Sequence, residues 1–213
     1  MNQQRTVVLA ITGASGVIYA VRLLEVLRVA GCRVHLSISP SAQLVLKQEL
    51  DVTVDLDRFD LKALLAAGSS NLQSSLPTID PGEPGEVFYH HHQDMMAPLA
   101  SGSFPTHGMV ICPCSGSTLG AVVHGMGDNL IHRAAQVHLK ERRKLIIVPR
   151  ETPLSTIQLD NMKRISEAGA VVLPASPGFY HGVNSVGDLV DFVVARICDQ
   201  LGVANALIHR WGT

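Results

Sequence analysis

The sequence predicts an α/β fold: a single doubly wound, mainly parallel sheet with helices on both faces. Three observations lead there. Short β-branched runs, of which Val7 to Ile11 is the first, alternate with amphipathic segments of helical length. Those runs end in turns of small residues, beginning with Thr12-Gly13-Ala14-Ser15-Gly16. The 213 residues are 46% hydrophobic and only 16% charged, which suits one domain whose strands are buried on both faces.

The first strand passes through Gly13 and Gly16 into a helix running from Val17 to Ala30, where Gly31 stops it. Free N–H groups at that helix start favour an anion, and Ser15 adds a hydroxyl beside them. The turn lacks the full G-x-G-x-x-G pattern and no Walker lysine follows, so a phosphate site and a merely tight turn both fit. Arg33 to Ile38 is the second strand. Ser39-Pro40 caps the next helix, which ends near Glu49 and gives a second strand-to-helix corner. Leu61 to Ala67 is a short helix, and the Gly-, Ser- and Pro-rich stretch at about 68–85 is a surface excursion. Val87 to His92 is a short strand, and Met95 to Ser103 a loop of small residues.

Gly108 to Cys112 is a buried strand leading to a third corner, Ser115-Gly116-Ser117-Thr118. Two corners of this kind hold opposite ends of one nucleotide. Asn129 to Arg143 is helical; Arg133 and Lys140, seven positions apart, share a face as ligands or as ordinary solvated charges. Leu145 to Val148 is a strand with Arg150 and Glu151 at its carboxyl end, facing the ligand crevice. A helix over Leu159 to Ala168, a strand over Ala170 to Leu173 and a loop containing Tyr180 follow. Ser185 caps the last long helix, with Asp188 in its first turn. Arg196 stands there among Val193, Val194 and Ile197 and calls for an anionic partner. The tail, from about 203 to 213, is apolar with an Arg-Trp end suited to docking on another subunit. No repeat divides residues 1–213, so they form one domain of Rossmann-like or flavodoxin-like three-layer type.

A net charge of −1 argues against general nucleic-acid binding. No apolar run reaches transmembrane length, and the polar Met1 to Arg5 leads straight into strand pattern without a signal peptide. Cys32, Cys112, Cys114 and Cys198 show neither zinc spacing nor a secreted framework, so reduced thiols and a cytoplasmic location are expected. Cys112 and Cys114 read as core residues rather than nucleophiles. His90-His91-His92 invites a metal, but adjacent strand residues face opposite sides and chelate one ion poorly. No metal site is expected.

Taken together, the motifs resemble the UbiX-type flavin prenyltransferases. The resemblance rests on Thr12 to Gly16, the Ser39 corner with Glu49, Ala100-Ser101-Gly102-Ser103 and Pro113-Cys114-Ser115. It continues through Asn129-Leu130, Arg133-Ala134-Ala135, Leu139 to Arg143, Val148 to Pro153, Pro177 to His181 and Arg210-Trp211, in family order over nearly the whole chain. It implies an enzyme that joins the dimethylallyl group of dimethylallyl phosphate to N5 and C6 of reduced FMN, a flavin held like a cofactor but consumed as substrate. The product would pass to UbiD-type decarboxylases of ubiquinone synthesis or aromatic-acid metabolism. Family members are dodecamers with sites at subunit contacts.

Carried over by position, Gly13, Ala14, Ser15, Ser39, Ser115, Gly116, Ser117, Thr118 and Arg150 would hold FMN. Lys140, Glu151, Tyr180 and Arg196 would meet the prenyl phosphate with Arg133 nearby, and Glu49 and Ser15 would assist proton movement at the flavin. Two features depart from the pattern: Met95 stands where some relatives carry a tryptophan, and the excursion is longer than in compact relatives.

The chemistry suits the residues. No D-D-x-x-D motif is present to hold Mg²⁺, so side chains must neutralise the leaving phosphate. Lys140 and Arg196 supply charge, Tyr180 a donor, and Glu151 a proton if burial raises its pKa. An FMN-dependent cysteine-type decarboxylase would need a P-x-M-N-x-x-M-W motif, whereas Ala97-Pro98-Leu99 leads here into Ala-Ser-Gly-Ser. A non-catalytic FMN carrier would not need the second charged set of Lys140, Glu151 and Arg196.

Overall fold

The computed structural model describes residues 4–71, 84–180, 182–210 and 212. Among them six strands form one parallel sheet: β1 (Thr6–Ile11), β2 (Arg33–Ile38), β3 (Val87–Tyr89), β4 (Gly108–Cys114), β5 (Leu145–Pro149) and β6 (Val171–Val172). Their order is β3-β2-β1-β4-β5-β6. Strand order reverses between β1 and β4, and such a switch opens a crevice at the carboxyl ends of the two strands.

Alternation along each strand sends side chains to both faces. Val7, Leu9 and Ile11 pack with α1 (Val17–Val29), α2 (Pro40–Leu50), α3 (Leu61–Asn71) and α7 (Val186–Leu201) on one side. Val8 and Ala10 pack with α4 (Gly116–Val123), α5 (Leu130–Lys140) and α6 (Thr156–Glu167) on the other. The core is therefore double, as expected of a doubly wound sheet. None of the described helices is long and apolar enough to cross a membrane.

Several boundaries differ from expectation. The third strand stops at Tyr89, although His90 N still donates to Leu36 O at 2.8 Å. The third corner opens into a helix, α4, that its two glycines concealed. The 95–103 loop contains a 3₁₀ turn at Pro98–Ala100. The helix through Leu61 continues to Asn71, into the expected excursion; residues 72–83 of that excursion, and Trp211 of the tail, lie outside the described residues.

Candidate active site

Three strand-to-helix corners and one arginine converge at the switch crevice. Thr12, buried at the end of β1, ties the first corner to the third: its hydroxyl donates to Pro113 O at 2.7 Å and accepts from Ser115 N at 2.8 Å. Ser39 N donates to Ile11 O at 3.0 Å, fixing the second corner to the first. Gly13 must lack a side chain, because a Cβ there would overlap that of Ser41. Its glycine thus has a packing cause as well as any ligand cause.

Two serines cap the helices that follow. Ser39 Oγ accepts from Ala42 N at 3.1 Å, and Ser115 Oγ accepts from Thr118 N at 3.3 Å. Ser115 Oγ also lies 3.1 Å from Ser117 Oγ and 3.0 Å from Thr118 Oγ1. The N-termini of α2 and α4, ringed with hydroxyls, therefore flank the crevice. Arg150 closes it from β5, with Nε donating to Ser15 O at 3.3 Å. This set of hydroxyl, N–H and guanidinium donors fits a phosphate on a polyhydroxyl chain, which is the polar half of FMN.

The first corner holds a finding that sequence did not reveal. Gly16, in the left-handed region at φ 94°, starts α1 without a side-chain cap of its own. Glu49, on the last turn of α2, supplies the anion instead. Its Oε2 accepts from Gly16 N at 2.8 Å and Val17 N at 3.1 Å, and its Oε1 from Gly16 N at 3.1 Å.

Beside Arg150, a cleft of about 110 Å³ is lined by Pro149, Glu151, Thr152, Leu154, Met162 and Pro174 to Ser176. Glu151 accepts from Gln158 Nε2 at 3.2 Å and is exposed, so its own chain does not provide the burial expected of it. Gln158 was missed as a site residue. It forms a capping box with Ser155, and its amide approaches the place a Cβ on Gly116 would take. The Ser155-x-x-Gln158 spacing was the signal available.

The remaining candidates lie elsewhere. Arg133 Nε donates to Ala100 O at 2.9 Å. Lys140 pairs with Glu141 against Gly102, where Arg143 holds the Gly102 carbonyl at 2.6 Å just before β5 begins. Lys140 is thus at the amino-terminal edge of the sheet, and the length of β5, roughly 16 Å, separates that edge from Arg150. Tyr180 is exposed and sets its ring edge-on to Phe192 of α7, with centroids 5.8 Å apart. Arg196 is not among apolar side chains as expected. It projects from the outer face of α7, and its anionic partner is Asp199, at 3.0 Å. One chain therefore joins the FMN-type donors with Glu49 and Glu151, and holds Lys140 at the other edge of the sheet.

Among the described residues no group of three or more His, Cys, Asp or Glu is placed to hold a metal. All four cysteines are free and buried; burial pushes Cys112 upward and Cys114 to about 12, which fits core residues rather than nucleophiles.

The Flavoprotein family model matches residues 1–198. A flavin prenyltransferase UbiX of Pseudomonas aeruginosa is 48% identical over 212 residues, covering 100% of this chain and 96% of its own. The crystal structure of AnUbiX (PadA1) in complex with FMN and dimethylallyl pyrophosphate superposes with a TM-score of 0.82 at 36% identity, covering 99% of each chain. A dodecameric FMN-dependent UbiX-like decarboxylase from Escherichia coli O157:H7 gives 0.78 at 36% identity, covering 98% of this chain and 99% of its own.

Proposed function

The chain belongs to the Flavoprotein family and, within it, to the UbiX flavin prenyltransferases, and on that premise we propose how its residues perform the transfer. The enzyme moves a dimethylallyl group from dimethylallyl phosphate to reduced FMN. The bound flavin would supply N5, which bonds the carbon freed of phosphate and loses its proton, and C6, which bonds the tertiary carbon as the prenyl double bond takes up a proton at its other carbon and C6 gives up its own, closing a fourth ring. The observation that carries this reading is the convergence of the Ser15, Ser39 and Ser115 corners with Arg150 on the β1–β4 switch.

The work divides among side chains. Gly13, Ala14, Ser15, Ser39, Ser115, Gly116, Ser117, Thr118 and Arg150 bind and orient the flavin. Lys140, Arg133 and Arg196 neutralise the phosphate as the allylic C–O bond breaks and its electron pair leaves with the oxygen; the Tyr180 hydroxyl donates to the same group. Glu151 gives that phosphate a proton, and Glu49 with Ser15 takes the proton released at N5. Fixed cations do the work that a divalent ion does elsewhere.

Because Lys140 and Arg150 stand at opposite edges of one sheet, the complete site forms between copies of the chain. A dodecamer, the state of the Escherichia coli neighbour, supplies such contacts. The second copy also supplies the burial that Glu151 lacks. The prenylated flavin goes to a UbiD-type decarboxylase, and the enzyme works in the cytoplasm.

Phosphorus NMR tests the reading. Oxygen-free enzyme with reduced FMN and dimethylallyl phosphate should release inorganic phosphate, and omission of either compound should stop it. No release with both present would leave only an FMN carrier.

A further inference from the structure

Arg196 is an exposed member of the cations assigned above to the phosphate, and a long exposed side chain is poorly ordered unless something holds it. Asp199, one turn on, is what holds it. The Asp199 carboxylate, 19% exposed, accepts from four N–H donors. Arg196 Nη1 reaches Oδ2 at 3.0 Å. Arg210 spans both oxygens, Nη1 to Oδ2 at 3.2 Å and Nη2 to Oδ1 at 2.8 Å. Asn205 Nδ2 reaches Oδ1 at 3.3 Å and also donates to Val203 O at 3.3 Å. A carboxylate has about four acceptor positions, so Asp199 is saturated.

The charge count gives this arrangement a purpose. Arg196 with Asp199 alone is a neutral pair and attracts an anion weakly. Arg210 adds a second guanidinium, and the three groups together carry one net positive charge. Arg196 uses only Nη1 on Asp199, which leaves its Nε–Nη2 edge for a phosphate. The two-pronged contact from Arg210 also sets the path of the tail over α7. Arg210's hydrogen bonds are the main cause holding the Asp199 carboxyl below its ordinary range, so the node stays ionised across working pH.

We propose that Asp199 and Arg210 are positioning residues for the prenyl-transfer reaction. Asp199 aims Arg196 at the allylic phosphate, and Arg210 keeps the node net cationic while it anchors the tail. This rests on the assignment of Arg196 made under the proposed function.

Steady-state kinetics on the intact oligomer, paired with FMN titration by fluorescence, tests it. Arg210→Gln should raise the KM for dimethylallyl phosphate about tenfold, the scale of one charge-assisted contact. FMN affinity and the unfolding midpoint should hold, and Arg210→Lys should recover most of the loss. Asp199→Asn should also weaken phosphate binding although it adds net positive charge, because aim is lost.

Tighter phosphate binding in Asp199→Asn would overturn the aiming role. An unchanged KM in Arg210→Gln, with Arg196→Gln still impaired, would overturn the node and spare the function. Equal losses of FMN affinity and stability in Arg210→Gln would reduce it to a structural tether. If Arg196→Gln behaves as wild type, the assignment of Arg196 itself fails.

Discussion

Glu49 places its carboxylate on the backbone N–H of Gly16, at 2.8 Å, and thereby occupies the start of α1 from a different helix. The first glycine turn thus faces an anion that belongs to the protein. Glu49 has two consequences that can be separated. Glu49→Ala uncaps α1 and should cost about 1 kcal/mol of stability, read from urea unfolding. Glu49→Gln retains one acceptor oxygen and should keep most of that stability while prenyl transfer slows. Full turnover of Glu49→Gln with reduced FMN would remove Glu49 from proton handling.

Thr12 joins two corners through one buried hydroxyl. Thr12→Val keeps the shape but strands Ser115 N and leaves Pro113 O with only a 3.3 Å bond from Thr12 N. We expect a loss of about 1–3 kcal/mol in stability and weaker FMN binding, because the Ser115 corner loosens. Calorimetry and fluorescence titration read the two effects; wild-type values in both would show that the corners are held by other contacts.

The corners were legible because their markers are local: a serine before a proline, a glycine pair after a β-branched run. Glu49 over Gly16 was not, since its partners are 33 positions apart. Arg196 was misread because Val193, Val194 and Ile197 flank it in sequence; those three side chains are buried in the core, whereas Arg196 is exposed on α7. The distance between Lys140 and Arg150 is a matter of topology: the two lie ten positions apart in the chain but at opposite ends of β5.

Two buried histidines set the acid limit of stability. His35, opposite His90 at 2.9 Å, is pushed down to about 4 by burial, then by His90 and Arg33. His138 is pushed down to about 4 by burial, with Arg143 adding to it. Its Nδ1 donates to Ala134 O at 2.7 Å, and Nε2 of the neutral ring then accepts from the Thr106 hydroxyl at 2.7 Å. The unfolded chain takes up protons that these rings refuse. Stability is therefore full above about pH 6.5 and is lost as pH falls from there towards 4, on the order of 3 kcal/mol per ring. Urea midpoints at neutral and mildly acidic pH should differ accordingly, and His138→Gln should narrow the gap. A pH-independent midpoint would contradict the neutral pair.

Separation of Lys140 from Arg150 predicts complementation between subunits. Lys140→Gln and Arg150→Gln should each abolish prenyl transfer as pure oligomers. Denatured together in equal amounts and refolded, they should regain about a quarter of wild-type activity, the share of sites that draw both intact residues from different copies. No recovery in mixed oligomers of confirmed size would place both residues in one subunit's site.

Mass spectrometry of the flavin tests the central claim most directly. Enzyme held free of oxygen with reduced FMN, dimethylallyl phosphate and a chelator should yield a flavin heavier by one C5 unit, with phosphate lost. Unaltered FMN under those conditions, or the heavier flavin only after a divalent ion is restored, would contradict transfer driven by fixed protein cations.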